Sequence, residues 1–279
     1  MIYVIGGRGR LGRAIQSSCP AEEVVVLERA IYEDWWQSDA APRIAGFFEA
    51  VPAGSAILVA AGLLDPSLPR ADHQRVNVEL PARVMEAAAK AGQRVVTFGT
   101  VMERLVEHPN PYVATKARLG RIVAERAAAG DAVLHLQVHT LYGGGEPASF
   151  MFLGQLLSAL REKRPFEMSP GRQLREYHHV NDDVAAVHAA LEAGASGVVA
   201  LSHGEPCALR DLASHVFTAL DRVDLLRVGA RPEPSDDNYA TVLAKPRLFE
   251  NVRFRPALPG VTDYLKALLP EPNNKHERR

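Results

Sequence analysis

The chain has 279 residues, 47% of them hydrophobic and 23% charged, with a formal net charge of -1. That length buries a sizeable core in one large domain or two, and so even a charge balance excludes a nucleic-acid or membrane-surface role driven by bulk electrostatics. Two cysteines, Cys19 and Cys207, exclude a disulfide framework and a cysteine-rich metal site, and no apolar run reaches the length of a membrane span. Met1 leads directly into Ile2 without a basic, apolar and cleavable leader, so a cytoplasmic setting is expected.

Ile2-Tyr3-Val4-Ile5 is an apolar run of strand type, followed at once by Gly6-Gly7-Arg8-Gly9-Arg10-Leu11-Gly12 and a helical Arg13-Ala14-Ile15-Gln16. Strand, glycine turn and helix make the first half of a mononucleotide-binding unit. Gly6, Gly9 and Gly12, spaced GxxGxxG, permit a tight turn. They also let the amides around Arg8, Arg10 and Leu11 approach a pyrophosphate, while Gly12 lets helix and strand pack closely. A second strand, Glu23 to Leu27, ends at Glu28-Arg29, where such folds meet the adenosine ribose. Glu28 would accept hydrogen bonds from both ribose hydroxyls and favours NAD. Arg29, with Arg8 or Arg10, would hold a 2′-phosphate; the three arginines tilt the expectation to NADP.

Trp35 and Trp36 are expected to cover the sheet as core. Ala56 to Val59 is a buried strand that ends in Ala60, Ala61 and Gly62, small enough for a ligand to lie against the backbone. A loop from Asp65 to Asp72, with Pro66 and Pro69, is a possible lid. A helix follows from Asn77 to Ala91, with Pro81 as a kink or the true start and Gly92 as its stop. Arg94 to Phe98 is another strand, and Thr100 beyond it stands where a parallel sheet delivers reactive side chains, its hydroxyl suited to hold a carbonyl.

Asn110 caps the next helix and Pro111 suits its first turn, so Tyr112 and Lys116, four residues apart, share one face. An ammonium beside a phenol favours phenolate and lowers a pKa that is otherwise about 10, which makes the pair a general acid or base. Farther on come a helix from Phe150 to Leu160 ending in Arg161, Lys163 and Arg164, a return to the sheet over Gly171 to Tyr177, and a helix from Asn181 to Ala193. A strand Val198 to Leu201 and a helix Leu209 to Leu220 complete the elements, and Pro270 to Arg279 is expected to fray. Among ten histidines none has HExxH or CxxC company, and His178 and His179 would face opposite ways in an extended chain, so no metal is expected.

The ordered set of Gly6-xx-Gly9-xx-Gly12, Thr100 after a strand and Tyr112-xxx-Lys116 resembles the extended short-chain dehydrogenase/reductase family, over nearly the whole chain. Leu141-Tyr142-Gly143 is similar to its tyrosine-glycine turn, and Arg175 to Val184 to its arginine-acid-aromatic stretch. The resemblance implies an α/β protein with a doubly wound, mainly parallel Rossmann-type sheet and a small interleaved C-terminal lobe over the substrate. Residues 1–145 with a return over 173–204 would form the dinucleotide-binding unit, 146–172 and 205–270 the lobe, and 271–279 a flexible tail.

It also implies that Tyr112 is the proton donor or acceptor, that Lys116 holds the nicotinamide ribose, and that Thr100 orients the carbonyl. Arg175 would contact a nucleotide diphosphate, and Thr140 stands where the family often has a substrate-contacting asparagine; Gly99 replaces a frequent serine. The expected activity is reduction of a 4-keto nucleotide-diphosphate sugar by NADP or NAD in its reduced form. The alternatives are a 4-epimerase using the same residues and a non-catalytic dinucleotide-binding relative. Val101, Met102 and Glu103 after Thr100 lack the acidic pair of the family's dehydratases. A homodimer is implied through the helices near Asn77 to Ala91 and Pro111 to Ala129, with no nucleic-acid or membrane partner.

Overall fold

A computed structural model describes residues 1–270, so the tail expected over 271–279 lies outside the described residues. Six strands form the central sheet: β1 (Ile2–Ile5), β2 (Val24–Val26), β3 (Ala56–Val59), β4 (Arg94–Thr100), β5 (Val133–Val138) and β6 (Gly197–Ala200). Their order is β6-β5-β4-β3-β1-β2 and every pairing is parallel. The order reverses at β1, between β2 and β3, which is the crevice where open α/β sheets bind ligands. Parallel strands covered on both faces read as continuous apolar runs, as Ala56–Val59 does with all four residues buried. The sequence reading passed over β5, because His135 and Gln137 interrupt its apolar residues; both are buried on the same face of the strand.

The longer helices are α1 (Arg10–Ser18), α2 (Ala41–Glu49), α3 (Leu80–Lys90), α4 (Pro111–Ala128), α5 (Phe152–Glu162), α6 (Val180–Glu192), α7 (Leu209–Ala219) and α8 (Ala257–Leu268). One sheet face packs Val4, Leu58 and Val96 against Ile15 of α1 and Val184 and Val187 of α6. The other packs Ile57, Val95 and Val133 against Phe48, Val84, Leu119 and Val123 from α2, α3 and α4. Trp35 joins this second core, edge-on to Phe47 and Phe48, as expected of it. A third core of Leu156, Phe166, Phe217 and Leu265 unites α5, α7 and α8 into the C-terminal lobe. No helix among the described residues is long and apolar enough to cross a membrane.

Two local expectations differ from the structure. The segment expected to be loop as far as Asp72 turns helical at Arg70, and the helix runs through a wide π turn at Arg75–Glu79 into α3. Pro81 is the cause: it lacks an N–H and its ring crowds the carbonyl of Asn77, and a wider turn relieves both. Gly171 to Tyr177 does not rejoin the central sheet. β5 already has β4 and β6 on its two edges, so Leu174–Arg175 pairs with Cys207–Ala208, and Tyr177–His179 pairs with Thr140–Tyr142 just beyond β5.

Candidate active site

The glycine turn, the end of β3 and the face of α4 meet at the C-terminal edge of the sheet. Gly6 has φ +92°, and a Cβ there would lie 2.3 Å from the Ala61 nitrogen; one on Gly12 would lie 2.4 Å from the Gly6 oxygen. Only glycine allows turn, helix and strand to approach so closely. Gly9 caps α1 without a side-chain hydrogen bond, and the first turn holds no acid, so the amides at this helix start are free for an anion. Ala60 and Ala61 both donate to the Ile5 oxygen, which holds the end of β3 against β1. A Cβ on Gly62 would lie 3.3 Å from Lys116 Nζ and 3.3 Å from Asn77 Oδ1. This close approach of turn, helix and strand, with the helix start turned to the end of the sheet, fits a dinucleotide.

The arginines do not converge as expected. Arg10 donates to the Leu141 oxygen at 3.0 Å and the Glu146 oxygen at 2.7 Å, so its guanidinium reaches the loop after β5 rather than the end of β2. Arg29 is exposed beside Glu33 at 3.8 Å, and Glu28 is exposed at the start of the short helix Arg29–Tyr32. The tilt toward NADP thereby loses one of its three supports.

Thr100 ends β4 and caps the short turn Val101–Arg104; a reciprocal bond runs from the Thr100 amide to Glu103 Oε1 at 2.7 Å. Asn110 caps α4 by accepting from the Val113 amide at 3.0 Å, which sets Tyr112 and Lys116 on the face toward the sheet. Lys116 Nζ donates to the Phe98 oxygen at 2.7 Å, and burial brings its pKa down to about 8 against the opposing pull of Glu103. Burial foremost, then the Glu103 carboxylate, pushes the Tyr112 phenol above its ordinary range; a hydrogen bond with the Thr100 side chain pulls the other way. This corrects the expectation of a lowered phenol pKa: the charge acting on Tyr112 is the carboxylate's, not the ammonium's.

Arg175 is not a free fork. It ion-pairs with Asp237 at 2.5 Å and donates to the Leu174 oxygen, at the edge of a small cavity also lined by Val101, Met102, Leu105, His139 and Leu174. Thr140 is half-buried, its amide 3.3 Å from the Glu176 oxygen. Arg161 and Arg164, at the basic end of α5, pair with Glu146 and Glu162.

Beside that cavity the fold assembles a cluster that sequence spacing did not reveal. Ligand atoms of His139, Glu176 and His178 lie within 4.8 Å of one another. His178 bridges two carboxylates, with Nδ1 2.6 Å from Asp183 Oδ1 and Nε2 3.0 Å from Glu176 Oε2. Glu176 further accepts from Ser202 Oγ at 2.5 Å and the His203 amide at 2.8 Å. A cation would have to displace these bonds, so the expectation of no metal meets a donor set that is close in space, with Glu176 and His178 already paired and His139 Nε2 without a hydrogen-bond partner. Burial holds His139 neutral, with a pKa of about 3, whereas the two carboxylates, outweighing burial, raise His178 to about 9.

The family model described as "NAD dependent epimerase/dehydratase family" matches residues 2–201. The chain belongs to that family. A curated relative, the 4-hydroxy-2-methyl-3-oxo-4-farnesyl-3,4-dihydroquinoline-1-oxide ketoreductase of Stigmatella aurantiaca, is 29% identical over 235 residues, 75% of this chain and 70% of that protein. Among solved structures, a UDP-glucose 4-epimerase of Thermotoga maritima, with UDP-glucose, superposes at a TM-score of 0.78 with 16% identity, covering 96% of this chain and 98% of that one. A UDP-glucose 4-epimerase of Thermus thermophilus, in complex with NAD, does so at 0.74 with 18% identity, covering 95% and 97%. These structures share the fold.

As an extended short-chain dehydrogenase/reductase, the chain is an enzyme of NAD-dependent type. Sequence reasoning missed three polar residues beside the site of this family member. Asn77 in the π turn exchanges hydrogen bonds with Leu63 at 2.8 and 3.0 Å and reaches Thr115 Oγ1 at 3.2 Å, so it ties the loop after β3 to α4. Glu103 and His135 meet under α4. An asparagine four residues before a helical proline was a usable signal for the first; nothing local marked the other two.

Proposed function

We propose that the chain reduces a ketone carried on a ring, with NAD(P)H as reductant and Tyr112 as proton donor. When bound, a reduced dinucleotide would supply hydride to the carbonyl carbon as the C=O π pair moves onto oxygen. Tyr112 Oη passes its proton to that oxygen, while the Thr100 hydroxyl, at the end of β4, orients the carbonyl. Amides around Gly6, Arg8, Gly9, Arg10, Leu11 and Gly12 would hold the pyrophosphate; Glu28 and Arg29 the adenosine ribose; Ala60, Ala61 and Gly62 the flat underside; Lys116 the nicotinamide ribose. The observation behind the reading is one constellation: a phenol kept protonated by its surroundings, beside a threonine hydroxyl and one turn from a buried lysine.

The family resemblance implies a 4-keto nucleotide-diphosphate sugar as substrate. Pairing of Arg175 with Asp237 favours a less charged ring ketone, and the Stigmatella relative is named for acting on one. The test supplies NADH or NADPH with a 4-keto nucleotide-diphosphate sugar and, separately, with a 3-oxo-dihydroquinoline, and follows loss of reduced cofactor. Tyr112→Phe should bind cofactor as tightly as the wild type and turn over about 10² to 10⁴ times more slowly. An active Tyr112→Phe would overturn the reading. NAD held through purification, without net consumption of reduced cofactor, would favour the 4-epimerase; light scattering tests a homodimer through α3 and α4.

A further inference from the structure

Glu103 occupies a slot that two glycines leave open. A Cβ on Gly99 of β4 would lie 2.1 Å from Glu103 Oε1 and 2.1 Å from His135 Nε2, and one on Gly120 of α4 would lie 3.0 Å from Glu103 Oε2. Gly120 follows Lys116 by one turn of α4 and Tyr112 by two, so the carboxylate lies beneath the face that bears both. Its side chain is 3% exposed. Oε1 accepts from the Thr100 amide at 2.7 Å and faces His135 Nε2 at 3.3 Å, and Oε2 accepts from Gln137 Nε2 at 2.8 Å. His135 is backed by Thr97 Oγ1, 2.8 Å from its Nδ1. The titratable groups facing Glu103 are therefore His135 from β5 and Tyr112 and Lys116 from α4; Arg104 on its own turn is exposed.

The His135 imidazole, a carboxamide and an amide N–H hold this carboxylate in ionised form, and none of them is a guanidinium or ammonium at contact distance. A negative charge fixed beside a phenol opposes phenolate. We propose that Glu103 is a positioning residue that keeps Tyr112 loaded as a phenol, and so biases the site toward giving a proton, as ketone reduction requires, over taking one, as alcohol oxidation requires. The inference rests on Tyr112 being the proton donor. The proton that leaves Oη is replaced from solvent, and Glu103 itself transfers none. Through the Thr100 amide the same carboxylate also fixes the end of β4, from which the carbonyl-orienting hydroxyl projects.

The test reads the phenol directly. In protein carrying 13Cζ-tyrosine, the Tyr112 resonance is assigned by its loss in Tyr112→Phe, and its ionisation midpoint is followed by NMR with and without NADP+. Glu103→Gln should lower that midpoint by about one pH unit. Glu103→Asp, which retains the charge, should hold it near the wild-type value; Glu103→Met serves as the neutral variant if the amide is not accommodated. The alkaline limb of ketone reduction should move down in step. A neutral variant with the wild-type midpoint overturns the inference, as does an equal fall in Glu103→Asp, which would mark a merely structural role. If Tyr112→Phe loses turnover while the midpoint ignores Glu103, only this inference fails; if Tyr112→Phe stays active, the assignment of the proton donor fails first.

Discussion

Glu103 and Glu176 are both buried carboxylates beside histidines, and the fold uses them in opposite ways. Glu176 meets His178, which the second acid Asp183 clamps from its other nitrogen, and Ser202 and the His203 amide complete its hydrogen bonds, so its charge has a cation in contact. Glu103 is held by an amide, a carboxamide and one histidine, and its field reaches Tyr112 and Lys116. A buried carboxylate in contact with a cation that a second acid also clamps fixes structure, whereas one held in place beside the reacting groups also acts on them.

That contrast can be broken at either end. The largest expected effect on stability is at His178. His178→Ala leaves Glu176 and Asp183 buried without their shared cation and should cost about 3–5 kcal/mol in denaturant unfolding, with the Tyr112 midpoint unmoved. A shift of that midpoint would show that the two clusters are coupled.

The pH dependence of stability comes next, and its two sides have separate causes. His178, raised to about 9, adds stability that is fully present below its unfolded value of 6.5 and is lost as pH rises through 9. His139 stays neutral to about 3, so falling pH favours the unfolded chain from 6.5 downward; Glu176, at about 2 against an ordinary 4.5, adds a further loss in the acid range. Unfolding scans should therefore show stability falling on both sides of pH 6.5, on the alkaline side up to about 8, where loss of the proton on buried Lys116 begins to oppose the fall. His178→Ala should flatten the alkaline side; an alkaline slope unchanged in that variant would refute the assignment. The smallest effect is that of Glu103→Gln on stability, about 1–3 kcal/mol from imperfect replacement of its hydrogen bonds. A loss as large as that of His178→Ala would erase the distinction between the two clusters.

Much of the fold was legible because its signals are local. A strand, a glycine turn and a helix within the first 18 residues, and a capped helix with Tyr112 and Lys116 at i and i+4, each follow from neighbouring residues. β5 was passed over because His135 and Gln137 look wrong for a buried strand until Glu103, more than 30 positions away, is seen to need them. Arg10 and Arg175 were legible as cations but not as engaged ones, since Glu146 and Asp237 approach them only through folding.

By itself, then, the sequence determined most of the strands and helices, the tight glycine approach at the first turn and the Tyr112–Lys116 face, all of which depend on spacing along the backbone. Only the tertiary structure decided which charges remain free. That depends on contacts between residues distant in the chain: Glu103 in the space left by Gly99 and Gly120, and Glu176 among His139, His178 and His203. Burial then amplifies each such contact, because charges out of water feel one another strongly.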